Sequence, residues 1–91
     1  IMQFVWDEAK RISNLEKHGL DFADAHRVFA GAMIVFEDMR ESYGEQRMIG
    51  LGMLDSLVVV VVHLEDDNTI RVVSMRGGTK RETALYFQQL H

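Results

Sequence analysis

An unbroken apolar run, residues 58–62, is the feature that most constrains the fold of this 91-residue chain. The run shows no alternation of polar and apolar residues, which predicts a strand covered on both faces at the centre of a sheet. The longer apolar segment, residues 57–62, is far shorter than the roughly 20 residues of a membrane-spanning helix. The start of the chain also lacks the pattern of a signal peptide, so we expect neither membrane insertion nor export.

Turn and cap residues divide the rest of the chain into further strands and helices. The predicted strands are residues 4–6, 33–36, 47–54, 57–64 and 69–75. The predicted helices are residues 8–18, a second helix that begins after Asp21, and a third that begins after Thr79. These elements predict an α+β fold in one domain, residues 1–91, with an antiparallel sheet of four or five strands, two N-terminal helices and one C-terminal helix.

The first predicted helix has one apolar face and one polar face. The apolar stripe, which we expect to face the core, consists of Ala9, Ile12 and Leu15. The polar row has the spacing i, i+4, i+7 and i+8 and consists of Lys10, Asn14, Lys17 and His18. Two interpretations of this row stay open, an ordinary solvated helix face or a functional surface.

The charges of the chain are unevenly distributed. The net charge is −4, which argues against nucleic-acid binding by the whole surface. Residues 1–68 carry six basic and thirteen acidic side chains, a net charge of −7, whereas residues 69–91 carry a net charge of +3. The basic side chains of this last segment are Arg71, Arg76, Lys80 and Arg81. A site for a polyanion is therefore predicted in the C-terminal segment.

Several other classes of site are excluded by the sequence. The chain contains no cysteine, so it has neither disulfides nor thiolate metal sites, which fits a reducing cytoplasm. The sequence shows no metal-ligand spacing such as H-E-x-x-H and no Walker phosphate loop. We therefore expect no metal site and no cofactor.

Two patterns that together span most of the chain resemble those of one protein family. The first is Phe4-Val5-Trp6-Asp7 followed by Lys10, Asn14, Lys17-His18-Gly19, Phe22 and Ala25. The second is Arg71-Val72-Val73-Ser74-Met75-Arg76 followed by a Thr79-x-x-Glu82 helix cap. In both patterns the chain resembles the BrnT toxins. It departs from them at Arg76-Gly77-Gly78, where relatives usually carry Arg-Lys-Ala, so one expected cation is missing.

The resemblance implies a RelE-like fold and a metal-independent ribonuclease activity that arrests growth in the cytoplasm. It also implies a BrnA-like ribbon-helix-helix antitoxin, which neutralises the toxin in a heterotetramer with two copies of each chain. RNA is then the substrate, and operator DNA is contacted only through the antitoxin.

Such cleavage uses the 2′-hydroxyl of RNA as the nucleophile, so the site must transfer protons and stabilise charge on the phosphate. Arg76 and Lys80 are predicted to contact the scissile phosphate. Arg71 and Arg81 are predicted to assist by binding RNA. We expect these four side chains to gather into one accessible pocket at the last strand-to-helix junction.

His18 is the predicted proton-transfer group, because imidazole exchanges protons near neutral pH. Lys10 and Lys17 are predicted RNA contacts on the same helix face. A structural interpretation competes with this role, since His18 can simply pack or hydrogen-bond at the C-terminal end of its helix, where a cation is favoured.

Other candidate residues carry the same two interpretations. His63, beside the apolar run, is predicted to be structural. Trp6 and Tyr43 could stack on RNA bases, but Trp6 lies beside Phe4 and is predicted to be a core or partner-facing residue.

Two functions compete at this point. The first is an endoribonuclease toxin held in check by its antitoxin. The alternative is a catalytically weakened binding module that acts mainly as the antitoxin's partner in an operon-repressing complex, an interpretation that Gly77 and Gly78 favour. A DNA-binding domain in its own right is disfavoured by the net charge of −4 and by the lack of a basic recognition helix.

Overall fold

The structure, a computed structural model, describes residues 2–90. Its elements follow the predicted order, with a short 3-10 helix before the second α-helix. They are β1 (Gln3–Val5), α1 (Glu8–His18), the 3-10 helix (Phe22–Asp24), α2 (Ala25–Phe29), β2 (Ile34–Glu37), β3 (Met48–Leu54), β4 (Leu57–Glu65), β5 (Thr69–Gly77) and α3 (Lys80–Gln89). The predicted domain limits, residues 1 and 91, lie outside the described residues.

β4 lies at the centre of a five-stranded sheet with the order β1-β5-β4-β3-β2. Every residue of the run 58–62 is at most 9% exposed. β3 and β4 form the predicted hairpin, which closes at the pair Leu54 and Leu57. The prediction of a central strand covered on both faces is therefore confirmed, as is the α+β fold class.

The sheet is mixed rather than wholly antiparallel. β2, β3, β4 and β5 pair antiparallel in the predicted way, whereas β1 pairs parallel with β5, from Gln3 opposite Thr69 to Val5 opposite Arg71. β1 and β5 are distant in sequence, so no hairpin turn dictates their relative direction. The sequence pattern carries no signal for this pairing.

Each face of the sheet is covered by a separate apolar cluster. On one face, the 3-10 helix and α2 pack against Val59 and Val61 of β4. On the other face, Tyr86 of α3 packs against Val58 and Val60. Full burial of a valine side chain stabilises the fold by roughly 1.5 kcal/mol or more. β4 thus joins the two clusters through alternate residues.

The orientation of α1 differs from the prediction. Ala9 is exposed, and Ile12 and Leu15 are 47% and 38% exposed, whereas Asn14 of the polar row is buried. The prediction that the apolar stripe faces the core is wrong, because Asn14 hydrogen-bonds to the backbone of β5 and turns the polar row toward the sheet.

Two predictions about single core residues are confirmed. Trp6 packs against the first apolar cluster and makes an edge-to-face contact with Phe22. His63 is fully buried, with its ring nitrogens 3.1 Å from the Val61 carbonyl oxygen and 2.9 Å from a Glu65 carboxylate oxygen. Trp6 is therefore a core residue, and His63 is a structural histidine.

The close packing of α2 on β3 depends on a glycine, and it gives a first prediction. A Cβ atom at Gly52 would lie 2.7 Å from Val28 Cγ1 and 3.2 Å from Met33 Cγ. Gly52→Ala should therefore lower the free energy of unfolding by about 1–3 kcal/mol, measured by urea denaturation. Gly31→Ala is the matched control, since its Cβ atom would meet only the Val28 carbonyl oxygen at 3.9 Å. Equal losses in the two variants would contradict this packing.

Candidate functional site

A polar cleft lies between α1 and β5. Its volume is about 230 Å³, and its lining residues are Lys10, Ser13, Asn14, Lys17, His18, Val73 and Ser74. The whole polar row of α1 is therefore brought together against the sheet. Asn14 of this row is buried, whereas Lys10, Lys17 and His18 remain exposed at the cleft, so both interpretations of the row stay open.

A β-bulge in β5 shapes the opposite wall of the cleft. Val62 of β4 pairs with Ser74, but the next residue, His63, pairs with Val72. Val73 is thus the extra residue. A bulge bends its strand and redirects neighbouring side chains. The two β5 residues that line the cleft are the bulged residue and its successor, a position that the sequence did not reveal.

Local capping residues determine where α1 begins and ends. The Asp7 side chain accepts a hydrogen bond from the backbone N–H of Lys10 at 3.1 Å, and Gly19 ends the helix in the left-handed conformation with φ 71°. Lys17 and His18 consequently lie in the last turn, where the helix dipole favours positive charge.

The Asn14 side chain attaches α1 to β5. Its Nδ2 donates to the carbonyl oxygens of Met75 at 2.8 Å and Leu20 at 3.1 Å, and its Oδ1 accepts from the Met75 N–H at 3.2 Å. The side chain is only 8% exposed. These three bonds hold the polar row over the bulge.

Most of the arginines are neutralised within the protein, whereas the lysines are not. Five of the seven arginines form ion pairs, namely Arg11, Arg27, Arg40, Arg47 and Arg76. No carboxylate of residues 2–90 pairs with the remaining cations, which are Lys10, Lys17, Arg71, Lys80 and Arg81. Five of the six cations predicted to bind RNA are therefore unpaired within the described residues, and Arg76 is the exception.

Arg76 is bound by Glu82 at the junction of β5 and α3. Nη1 and Nη2 of Arg76 each donate to a Glu82 carboxylate oxygen at 2.8 Å. Glu82 Oε1 also accepts from the backbone N–H of Thr79 at 2.9 Å, which completes the predicted capping box of α3. The bond from Arg76, with help from that of Thr79, lowers the pKa of Glu82 to about 2. Arg76 and Glu82 thus form a neutral pair.

The four C-terminal cations do not gather into one pocket, contrary to our expectation. Arg71 lines a depression that it shares with two acidic residues, and Arg81 lines a separate groove along α3. Neither depression is lined by Arg76 or Lys80. Arg71 pairs with Leu64 and Arg76 with Val60, four residues apart on β4, so at about 3.3 Å per residue the two arginines lie roughly 13 Å apart along the sheet.

The loop between β2 and β3 contains a second polar cluster, around Asp38. The buried Asp38 carboxylate accepts hydrogen bonds from Arg40 Nη2 at 2.7 Å and from the Tyr43 hydroxyl at 3.1 Å. The bond from Arg40 holds the pKa of Asp38 well below its usual range. The Arg47 guanidinium lies 4.2 Å from the centre of the Tyr43 ring. One face of Tyr43 is therefore already covered.

This loop also encloses a larger cavity, of about 620 Å³. Its acidic lining residues are Glu37, Asp38, Glu41 and Glu45. Carboxylates repel the phosphates of RNA, so the cavity does not suit a polyanion. The smaller cleft beside α1, with two unpaired lysines, suits one better.

In the part of the chain that the structure describes, no three His, Asp or Glu side chains are grouped closely enough to hold a metal ion. No helix of this part is long and apolar enough to cross a membrane. The cleft itself is lined by two ammonium groups and an imidazole and by no carboxylate. That set of side chains favours an anion.

Comparison with known proteins identifies the family. A family profile described as "Ribonuclease toxin, BrnT, of type II toxin-antitoxin system" matches residues 6–82. The chain belongs to the BrnT family. The crystal structure of the Brucella abortus ribonuclease toxin BrnT is similar in fold, with a TM-score of 0.71 and 30% sequence identity over 88% of this chain and 100% of that one. No sequence among the curated proteins matches the chain.

The region matched by the BrnT profile contains both walls of the cleft. α1 and β5 lie wholly within residues 6–82, and so do Arg76, Lys80 and Glu82. The chain is thus a member of a ribonuclease toxin family of type II toxin–antitoxin systems, and such a system includes an antitoxin partner. The resemblance found in the sequence is confirmed.

The Arg76–Glu82 pair gives a prediction about pH. Glu82→Gln in this BrnT protein should lower the free energy of unfolding by about 1 kcal/mol at neutral pH, because the ion pair is lost while the cap acceptor stays. The pKa of Glu82 in the folded protein, about 2, lies below its ordinary value of 4.5. The stabilisation is therefore present above pH 4.5 and is lost as the pH falls toward about 2.

The measurement is urea denaturation of the wild type and the variant at a series of pH values. Glu45→Gln is the control, because Glu45 is 46% exposed and lies 3.5 Å from its arginine partner. This control should change stability little at any pH. A Glu82→Gln effect that stays constant between neutral and acidic pH would contradict the assigned pair.

Proposed function

We propose that this BrnT protein is a cytoplasmic, metal-independent endoribonuclease that cleaves RNA, inhibits growth and is neutralised by a BrnA-like antitoxin. The observation that carries the proposal is the cleft between α1 and β5, in which Lys10, Lys17 and His18 converge. Both lysines are free of ion pairs with the described carboxylates. A phosphate in the cleft would therefore meet uncompensated positive charge.

The chemistry that suits these groups is transesterification by the 2′-hydroxyl of RNA. The 2′-oxygen loses its proton and attacks phosphorus, a 2′,3′-cyclic phosphate forms, and the 5′-oxygen departs with a proton. His18 is assigned to proton transfer, in which imidazole typically contributes 10²–10⁴-fold. Lys10 and Lys17 are assigned to the charge that builds up on the phosphate oxygens.

The remaining predicted cations extend the path of the RNA. Arg71, Lys80 and Arg81 carry no ion pair with a described carboxylate and are proposed to contact flanking phosphates. Direct contact of Arg76 with the scissile phosphate, together with Lys80, is the original prediction from the sequence. Glu82 already takes two of the five N–H donors of Arg76 and neutralises its charge, so we place the scissile phosphate in the α1 cleft instead.

The proposed partner is a ribbon-helix-helix antitoxin of the BrnA type, in a heterotetramer with two copies of each chain. In the neutralised complex the antitoxin covers the cleft and so excludes RNA. Operator DNA is proposed to contact the antitoxin alone, because the toxin carries a net charge of −4.

A catalytically weakened binding module is the second candidate function. It is favoured by the neutral Arg76–Glu82 pair and by Gly77 and Gly78, which leave Lys80 and Arg81 as the free cations of the β5–α3 junction. In this case the chain would act mainly by stabilising its antitoxin in an operon-repressing complex.

Production of the chain without its antitoxin separates the two functions. If the chain is an endoribonuclease, induction should cause growth arrest and fragmentation of bulk RNA. Co-production of the antitoxin should then restore growth. RNA is followed on denaturing gels and growth by cell density. Normal growth and intact RNA in the presence of soluble, folded protein would leave only the binding module.

Substitutions in the cleft test the assigned roles. His18→Ala should lower kcat by about 10²–10⁴-fold with the fold retained. Lys17→Ala should weaken binding of an uncleavable RNA and reduce the slope of log affinity against log salt by about 0.7, the value for one phosphate contact on a single strand.

Two control substitutions remove the same kinds of group, an imidazole and a cation, from positions outside the cleft. His26→Ala removes an exposed imidazole on α2, and Arg27→Ala removes a surface cation that pairs with Asp24 and Asp55. Both should leave cleavage near the wild-type level. If His18→Ala cleaved normally while Arg76→Ala or Lys80→Ala did not, the chemistry would lie at the β5–α3 junction.

A further inference from the structure

The cleft exists only because α1 is rotated about its own axis so that its polar row faces β5. The apolar stripe of α1 does not determine this rotation. Ile12 and Leu15 are 47% and 38% exposed and belong to neither apolar cluster, so burial of apolar surface is not what holds the helix in this orientation. The ion pairs of Arg11 are partly exposed, and such pairs contribute roughly 0–1 kcal/mol. Asn14 is the one buried residue of α1. Its contacts therefore select the helix face that meets β5.

The Asn14 side chain makes the hydrogen bonds to β5 that a backbone peptide group of a neighbouring strand would make. β1 stops pairing with β5 at Arg71, and Met75 lies beyond that end. The Asn14 carboxamide donates to the Met75 carbonyl and accepts from the Met75 N–H, at 2.8 and 3.2 Å. A carboxamide carries the donor and the acceptor that a backbone peptide group carries. Asn14 thus satisfies both backbone groups of Met75 where β1 has ended.

We propose that Asn14 is a positioning residue, whose bonds to Met75 turn the polar row of α1 toward the β-bulge and so assemble the RNA site. The proposal rests on the function proposed above, in which this row binds and cleaves RNA. Lys10, Lys17 and His18 stand at i−4, i+3 and i+4 from Asn14 and share its helix face. A rotation that released Asn14 would carry all three away from β5.

Asn14 does not contact the RNA itself in this role. Its Nδ2 is used by the carbonyls of Met75 and Leu20, and its Oδ1 by the Met75 N–H. Only 8% of its surface is exposed, so little of the side chain is accessible to a ligand. It acts through the three side chains that flank it on the helix.

Two substitutions test the role. Asn14→Asp keeps the shape and the acceptor, but at neutral pH it places a carboxylate oxygen against the two carbonyls. Protonation gives the introduced carboxyl one donor and one acceptor, which restores the bond to Met75. Burial beside the Met75 and Leu20 carbonyl oxygens favours this protonated form. Lys10, Lys17 and His18 on the same helix face favour the ionised form, but they are exposed and solvent screens them, so recovery is expected as the pH falls from about 8 to about 5. Asn14→Leu has a similar size and cannot recover at any pH.

The readout is the Kd for a single-stranded 2′-O-methyl RNA, which cannot be cleaved, given as the ratio of variant to wild type at each pH. Asn14→Asp should bind at least about tenfold more weakly at pH 8 and within about twofold of wild type at pH 5. In NMR spectra of Asn14→Asp, the backbone amide resonance of Met75 should change over the same pH range. Asn14→Leu should bind at least about tenfold more weakly throughout.

Controls separate positioning from charge and from stability. Ser13→Asp introduces a carboxylate into the cleft without removing the bonds of Asn14, and any weakening of RNA binding should persist at pH 5, since an exposed Asp ionises near pH 4. Val28→Ala destabilises the core without touching the cleft, and its Kd ratio should stay near one while it is folded. Circular dichroism confirms folding of each variant.

Each outcome has one meaning. Wild-type protein that fails to bind the RNA overturns the proposed function, and this role with it. If the wild type binds and folded Asn14→Leu binds equally well, only the positioning role is overturned. The positioning role is also overturned if the amide resonance of Met75 in Asn14→Asp does not change with pH. It is overturned likewise if the Kd ratio of Asn14→Asp to wild type does not fall toward one at pH 5.

Discussion

The hydrogen bonds between Asn14 and Met75 decide how the first helix meets the sheet. β1 is only three residues long, Gln3–Val5, and it leaves the outer edge of β5 without a strand partner at Met75. A buried peptide group without a partner costs about 1–3 kcal/mol, comparable to the burial of a leucine side chain. Met75 presents both an N–H and a carbonyl at that edge, and Asn14 satisfies both, whereas Ile12 and Leu15, at 47% and 38% exposure, lose only part of the gain from burial. The polar face of the helix turns inward as a result.

An acidic chain can present positive charge only where its cations are not compensated internally. Arginine, with its planar fork of donors, binds carboxylates bidentately, as Arg40 does with Asp38 and Arg76 with Glu82. Lysine offers a single ammonium on a flexible stem and remains available. All three lysines but only two of the seven arginines are without an ion pair to the described carboxylates, and two of the lysines line one cleft.

The sequence predicted what local patterns control. The central position of β4 follows from its unbroken run of valines, and Asp7, Gly19 and Thr79 cap their helices as expected. The parallel pairing of β1, the bulge at Val73 and the rotation of α1 depend on contacts between distant segments, which leave no local pattern. The sequence therefore named five cations that stay unpaired within the described residues, but it assigned Glu82 only to the cap of α3 and did not show that the same carboxylate binds Arg76.

The glycines after Arg76 bear on where RNA would bind. A Cβ atom at Gly77 would meet only Leu57 side-chain carbons, at 3.8 and 3.9 Å, which is ordinary contact. Packing therefore does not forbid a larger side chain such as lysine at this position. With Arg76 neutralised by Glu82 and no cation at Gly77, the free charge of the junction is confined to Lys80 and Arg81 in the first turn of α3. The same strand, β5, thus borders the lysine-lined cleft at its bulge and ends in a neutral ion pair.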